Sequence, residues 1–390
     1  MTLANAHALF CGLKKDPSYL ANLTVPEDVI ESLLLARKDI RAVLRDNAVN
    51  LRFDSHFWVS DSIYSSSQSA RPNISMKFMT QGSYVYGTLN SPEKPQVQEI
   101  DLDDGMYVPV DFLSDGKPAL IAKSLFDFVL TTLNDNGWSA QSKPNCVRVR
   151  LSRGAHIDIP IYSIPRNEFE SLAIATENAN MQSSQLFRDS LGTINRLPSD
   201  KVMLARADGT WIQSDPHQLH EWVQAQRARY GAPYIRLCRF FKGWRDFTWD
   251  KSPLSSLCIM RAVQLALTRF EGGFPTEWRD DELILKVSRL LPDIFSGDIT
   301  NPVLGLSLND WEQSEVEEIV SQSQILRDQM ETALLYTGDA DVIVRKLRLR
   351  FGDRIPNRPD VIKFGSTIAA LKSAKPAEVS VPKVIASTSG

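Results

Sequence analysis

Two carboxylates two residues apart, Asp101 and Asp103 in Glu99-Ile-Asp-Leu-Asp-Asp-Gly105, are the side chains best placed to do chemistry. On a strand, that spacing sends both out of one face while Ile100 and Leu102 point out of the other. Paired carboxylates on one face call for a cation. Magnesium, a hard ion that takes oxygen ligands and shares them with substrate phosphates, suits such a pair, which can bridge one or two metals beneath a triphosphate. Asp158 supplies a third carboxylate: in His156-Ile-Asp-Ile-Pro-Ile161, the three isoleucines share a face and Asp158 lies on the opposite one. Taken alone, the acidic segment reads more simply as a polar turn, because Asp-Gly favours turns and isolated D-x-D patterns are common. An EF-hand is excluded, since the twelfth loop position counted from Asp101 is Phe112 and not Glu.

Upstream stands Met79-Thr-Gln-Gly-Ser-Tyr-Val-Tyr-Gly-Thr-Leu89, a Gly-Ser turn leading into a helix start with Ser83 near the N-cap. Unpaired N–H groups at a helix start favour phosphate, and Gly82 removes the side chain that would keep phosphate away. An ordinary serine cap is the simpler reading of this element by itself. A Gly-Ser turn, a strand with D-x-D and a later strand with a third Asp together match the order of the polymerase-β-like nucleotidyltransferases.

The elements that must position these residues follow from periodicity. Val29, Ile30, Leu33, Leu34, Ile40, Val43 and Leu44 recur at helical spacing between Pro26 and Asn47. Strand-like alternation marks Ile74–Met79, Val97–Val110, Cys146–Leu151 and His156–Tyr162, with a helix over Ser124–Leu133 between them and the sheet ending near Arg166. From Ser214 onward the period becomes helical, with Leu237, Phe240, Phe241 and Trp244 on one face. Further helical runs cover Ser255–Phe270, Asp281–Leu291, Trp311–Leu335 and Val342–Phe351. The pattern predicts an α+β sheet lobe followed by a helical lobe. The tail from Ser373 to Gly390, without aromatic residues, predicts disorder.

Composition narrows the function classes. The 390 residues carry 44 basic and 47 acidic side chains and a net charge of −3, which argues against tracking long nucleic acid and makes any phosphate site local. Four scattered cysteines suggest neither a zinc module nor a disulfide framework, and a reduced cytoplasm is the simplest setting. No signal segment and no apolar run long enough to span a membrane is expected.

The chain resembles the bacterial cGAS/DncV-like nucleotidyltransferases. The likeness rests on Thr80-Gln-Gly-Ser83, Asp101-Leu-Asp-Asp-Gly105, His156-Ile-Asp-Ile-Pro160, Trp211-Ile-Gln-Ser-Asp-Pro216, Cys238-Arg-Phe-Phe-Lys-Gly-Trp-Arg-Asp246 and Phe351-Gly-Asp-Arg354. It implies a polymerase-β-like core with an N-terminal helix over 1–170, a helical lobe completing the nucleotide cleft over 171–372, and the tail over 373–390. It implies that Asp101, Asp103 and Asp158 hold two Mg2+ ions, and that Gln81, Gly82, Ser83, Tyr84, Val85 and Tyr86 line the donor triphosphate site. Arg148, Ser214, Lys242 and Ser256 fall at nucleotide-binding positions of the family; read from the residues alone, Lys242 belongs equally to a solvated helix face, and Ser214 and Ser256 to caps or turns. Asn301-Pro-Val-Leu-Gly-Leu-Ser-Leu-Asn309 replaces a longer, more polar connection of the family pattern, and Gly87 stands where that pattern has Asp, so base preference is not carried over.

The implied activity is synthesis of a cyclic oligonucleotide from ATP and GTP or other nucleoside triphosphates, with 3′,3′-cyclic GMP-AMP or a related product acting as an anti-phage messenger on a separate effector. A linear-oligonucleotide or small-molecule nucleotidyltransferase is the alternative within enzymes, and a degenerate nucleotide-binding scaffold the alternative outside them. Arg37, Arg41 and Arg45 share a helix face and match arginines that bind folate-like inhibitors, although a solvated face is the simpler reading. The terminal Gly390 resembles glycines joined to targets by a ubiquitin-activating-like partner enzyme.

Overall fold

The computed structural model describes residues 3–12, 17–49, 51–60, 66–71, 73–151, 154–166, 201–270 and 278–365. The tail from 373, with Gly390, lies outside them. The chain opens with a short strand β1 (Ala4–Asn5) and two single-turn helices, α1 (His7–Phe10) and α2 (Tyr19–Asn22). The 21-residue helix α3 (Glu27–Asn47) begins after Pro26 with Glu27 and Asp28 in its first turn, where acidic groups complement the helix dipole. It buries Leu33, Ile40 and Leu44, close to the expected periodicity.

The sheet is built around one strand. After β2 (Lys77–Gln81) and the five-residue turn of helix α4 (Gly82–Tyr86) comes β3 (Ile100–Val110), which β2 borders antiparallel on one edge. Helix α5 (Ala122–Asp135) leads to β4 (Ser139–Lys143), β5 (Cys146–Leu151), β6 (Ala155–Ile159) and β7 (Ile161–Pro165). The expected strand over His156–Tyr162 divides at Pro160, which has no N–H to give a ladder. β6 and β7 nevertheless keep one parallel register against β3, from Ile100 opposite Ala155 to Val110 opposite Pro165. Strand β5 pairs with β6, and β4 with β5.

Two short strands, β8 (Met203–Ala205) and β9 (Trp211–Gln213), extend the sheet from β7, so it runs past the expected boundary at 170. Three-residue strands carry too little alternation to be read from sequence. The helical lobe follows as α6 (Pro216–Tyr230), α7 (Ala232–Thr248), α8 (Ser256–Thr268), α9 (Asp280–Phe295), α10 (Gln313–Glu331) and α11 (Ala340–Phe351), and β10 (Lys363–Phe364) closes it by pairing with β1. Leu9, Phe10, Tyr19 and Leu23 belong to the core of this lobe, not to the sheet. Phe10 packs edge-on against Phe240 and Phe351, and Tyr19 stacks on Phe240. No described helix is long and apolar enough to cross a membrane.

The back of the sheet holds α3 and corrects the reading of its arginines. Arg37 and Arg41 are partly buried against the sheet, and Arg45 at the end of the row is exposed. Arg41 donates Nε to Asp104 Oδ2 at 2.7 Å and a second bond to Oδ1, Arg37 donates to Thr80 Oγ1 at 2.5 Å, and Arg45 lies 5.1 Å from the centre of the Phe78 ring. Asp104 is 1% exposed, because its place in β3 turns it away from Asp103 and into the helix–sheet layer. Removing one partner of a buried pair leaves an uncompensated charge, at a cost of about 3–5 kcal/mol. Arg41→Met is therefore expected to lower unfolding stability by that amount in urea, with Arg41→Met/Asp104→Leu recovering most of it; equal stability of Arg41→Met and the wild type would contradict the pairing.

Candidate active site

A cleft of about 590 Å³ separates the sheet from the helical lobe. Strand register decides what faces it. Asp103 stands between Gln81 on β2 and Asp158 on β6, and Asp101 stands opposite His156. Asp158 in turn faces Arg148 on β5, which donates Nε to Oδ1 and Nη2 to Oδ2, both at 2.7 Å. This bidentate pair raises the Arg148 pKa further, so the guanidinium stays charged. Arg148 lines the cleft as expected, yet both its bonded arms serve Asp158.

His156 is the residue that the acidic pattern conceals. It is 4% exposed and lies between two carboxylates, with Nδ1 3.1 Å from Glu99 Oε2 and Nε2 3.1 Å from Asp101 Oδ1. Asp158 Oδ1 is 3.8 Å from the same Nε2. The approach of Nε2 to Asp101 Oδ1 lacks hydrogen-bond geometry, and both atoms are buried without a partner. Asp101, His156 and Asp158 each offer a ligand atom within 4.8 Å of the others, so the donor set and its unsatisfied atoms fit a divalent cation. Strand period two placed His156 on the same face as Asp158, which was the available signal.

Asp103 sits against the Gly-Ser turn. Burial, then the charges of Asp101 and Asp158, push its pKa well up, a penalty that a bound cation reverses. Gly82 has φ +68°, and a Cβ there would lie 2.8 Å from Asp103 Cγ and overlap the carboxylate. Helix α4 is only five residues long and Gln81 occupies its N-cap with no side-chain cap bond, so neither a long helix dipole nor a Ser83 cap contributes. Gln81, Gly82, Ser83 and Tyr86 line the cleft. Tyr84 and Val85 do not: one helical turn spreads its side chains around the axis, and Tyr84 packs into the sheet core while Val85 packs against the helical-lobe core. Behind the cleft wall, the Tyr86 ring lies 5.9 Å from that of His220, whose pKa burial lowers to about 4.

The helical lobe supplies the opposite wall. Lys242 is 5% exposed and donates Nζ to Thr88 O at 2.8 Å, and burial followed by the nearby Arg245 charge lowers its pKa to about 8. Its helix face is thus buried, not solvated. Ser256 opens α8 and accepts from Arg245 Nη1 at 3.2 Å, while the N-cap bond comes from Ser255. Ser214 lines the cleft beside the Tyr162 hydroxyl, which also accepts from Gln81 Nε2 at 2.9 Å. Asn301, Val303 and Leu304 line its far end, so the segment that departs from the family pattern reaches the cleft.

Comparisons with known proteins agree with this geometry. Residues 76–162 match the nucleotidyltransferase domain of the family described as cyclic GMP-AMP synthase DncV-like, and residues 231–364 match the cyclic GMP-AMP synthase C-terminal domain. A cyclic GMP-AMP synthase of Escherichia coli strain TW11681 is 30% identical over 307 residues, 73% of this chain and 69% of the relative. One from Vibrio cholerae serotype O1 is 30% identical over 355 residues, 85% and 79% of the two chains. A structure of a mutant Vibrio cholerae di-nucleotide cyclase, DncV, in complex with ATP, GTP and 5MTHFGLU2 superposes with TM-score 0.75 at 25% identity, covering 94% of this chain and all of that one.

The close approach at Gly82 generates a specific expectation. Gly82→Ala would strain a left-handed backbone position and displace Asp103, so binding of a fluorescent triphosphate analogue should weaken by roughly a hundredfold, on the scale of removing a preorganised contact. Wild-type affinity in Gly82→Ala would show that the turn plays no part in the site.

Proposed function

The chain belongs to the DncV-like cyclic GMP-AMP synthases and is a cyclic dinucleotide synthase, and from that premise we propose that it joins ATP and GTP into 3′,3′-cyclic GMP-AMP or a closely related cyclic product. The observation that carries the reading is the meeting of Asp101, Asp103 and Asp158 on one face of neighbouring strands, Asp101 and Asp103 lining a cleft large enough for nucleotides and Asp158 buried beside them under Arg148. Those three carboxylates would hold two divalent ions, Mg2+ being the ion that oxygen donors favour. When bound, such ions supply Lewis acidity toward an acceptor 3′-hydroxyl and the charge on an α-phosphate.

The chain's own groups do the rest. Gly82 leaves room for the Asp103 carboxylate against the turn, and Lys242 would direct a buried cation at the triphosphate from the other wall. Arg148 fixes the carboxylate plane of Asp158 with its two bonds. Gln81, held by the Tyr162 and Tyr107 hydroxyls, keeps the turn in register with Asp103. The helical lobe covers the cleft and reduces water around the reacting groups. A product of this kind would act as an anti-phage messenger on a separate effector, with Gly390 as the point of attachment for a ubiquitin-activating-like partner.

Purified protein with a divalent metal and labelled ATP, GTP, CTP and UTP should release pyrophosphate and a phosphatase-resistant nucleotide. Asp101→Ala/Asp103→Ala should fall below about one thousandth of the wild-type rate. A wild-type enzyme inert with every mixture would refute the reading, and a product with a free phosphate end would favour linear synthesis.

Lys242 predicts the pH dependence. The lysine is charged below its pKa of about 8 and neutral above it, so KM for triphosphate should rise as pH increases through that value. Lys242→Arg, whose charge persists, should flatten the rise; an unchanged profile would remove Lys242 from triphosphate binding.

A further inference from the structure

We infer that His156 is itself a metal ligand, binding through Nε2, and that its nitrogen makes this position of the site prefer Mn2+ to Mg2+. The inference rests on the metal-dependent reading above and deepens it. Three observations carry it. First, Glu99 Oε2 lies 3.1 Å from Nδ1, so a neutral imidazole that gives its N–H to Glu99 turns the Nε2 lone pair toward Asp101. A carboxylate behind the distal nitrogen is the arrangement that orients metal-binding imidazoles and raises their basicity. Arg148 and Arg150 lie 4.0 and 3.7 Å from Glu99 and set positive charge beside that carboxylate.

Second, Nε2 confronts acceptors. Asp101 Oδ1 stands 3.1 Å away, and both atoms are buried and unsatisfied, so in that tautomer two lone pairs face one another with no donor between them. A cation coordinated by both atoms relieves this. Third, the spacing suits one. Adjacent ligands of an octahedral ion with bonds of ~2.1 Å are separated by ~3.0 Å, close to the observed gap. Asp158 Oδ1, 3.8 Å from Nε2, contributes a second carboxylate oxygen while its remaining lone pairs accept from Arg148.

An imidazole among carboxylates changes selectivity. Mg2+ is best matched by oxygen donors alone, whereas Mn2+ accepts mixed nitrogen and oxygen sets more readily.

Pulsed electron paramagnetic resonance of Mn2+ added to the full-length protein, without nucleotide, tests the assignment. The wild type should show the modulation of a directly bound nitrogen, and labelling the histidines with nitrogen-15 should change its frequencies. His156→Gln should lose that modulation while still binding Mn2+, and the Mg2+ concentration needed to displace Mn2+ should drop by roughly tenfold. Mn2+ bound by the wild type with no nitrogen coupling would overturn the role of His156 and leave the three-carboxylate reading standing. Binding that survives unchanged in Asp101→Asn/Asp103→Asn would place the metal elsewhere and overturn both. The wild-type spectrum decides the nitrogen ligand even if the variant fails to fold.

Discussion

Three carboxylates, Asp101, Asp103 and Asp158, are brought onto one face of a buried sheet, and their mutual repulsion organises what surrounds them. Like charges taken out of water raise one another's proton affinity unless a counter-charge is close. The fold answers with fixed groups: Arg148 neutralises Asp158, and Lys242 approaches from the helical lobe. Asp103 is left with its pKa raised, which is the condition a cation relieves. Much of the cleft can be understood as compensation for that floor of negative charge.

The same strand serves both layers of the sheet lobe. Asp103 and Asp104 are neighbours in β3, so their side chains leave by opposite faces. One enters the cleft, and the other is clamped by Arg41 beneath helix α3. Thr80 and Gln81 repeat the division on β2, Thr80 taking Arg37 behind the sheet and Gln81 taking the tyrosines in front. The back layer thereby holds the front layer in position through strands that cannot slip by one residue without reversing every side chain.

The lobes are tied through the segment between α4 and β3. Lys242 holds Thr88 O, Asn90 exchanges bonds with Arg239, and Arg354 pairs with Glu93. The Gln98 amide accepts from the backbone of Glu93 and Lys94 and donates to Asp246 O and Trp249 O. These bonds lie immediately before Glu99 and Asp101. The helical lobe therefore fixes the start of the strand that carries the acidic pair, as well as covering the cleft.

The sequence by itself determined the parts governed by short-range periodicity. Alternation around Asp101 and Asp103 required that they share a strand face, and apolar spacing marked α3 and the long helices of the second lobe. Order along the chain was enough to suggest that Asp158 joined them. Tertiary structure decided the pairings, because these depend on register between strands distant in sequence. His156 acquired its place between Glu99 and Asp101, Asp158 its clamp from Arg148, and Asp104 its partner in Arg41 only through that register. The same holds for the first residues of the chain, whose aromatic rings find their neighbours on α7 and α11. Periodicity states which side of an element a residue occupies; what lies on that side is set by contacts that no local pattern contains.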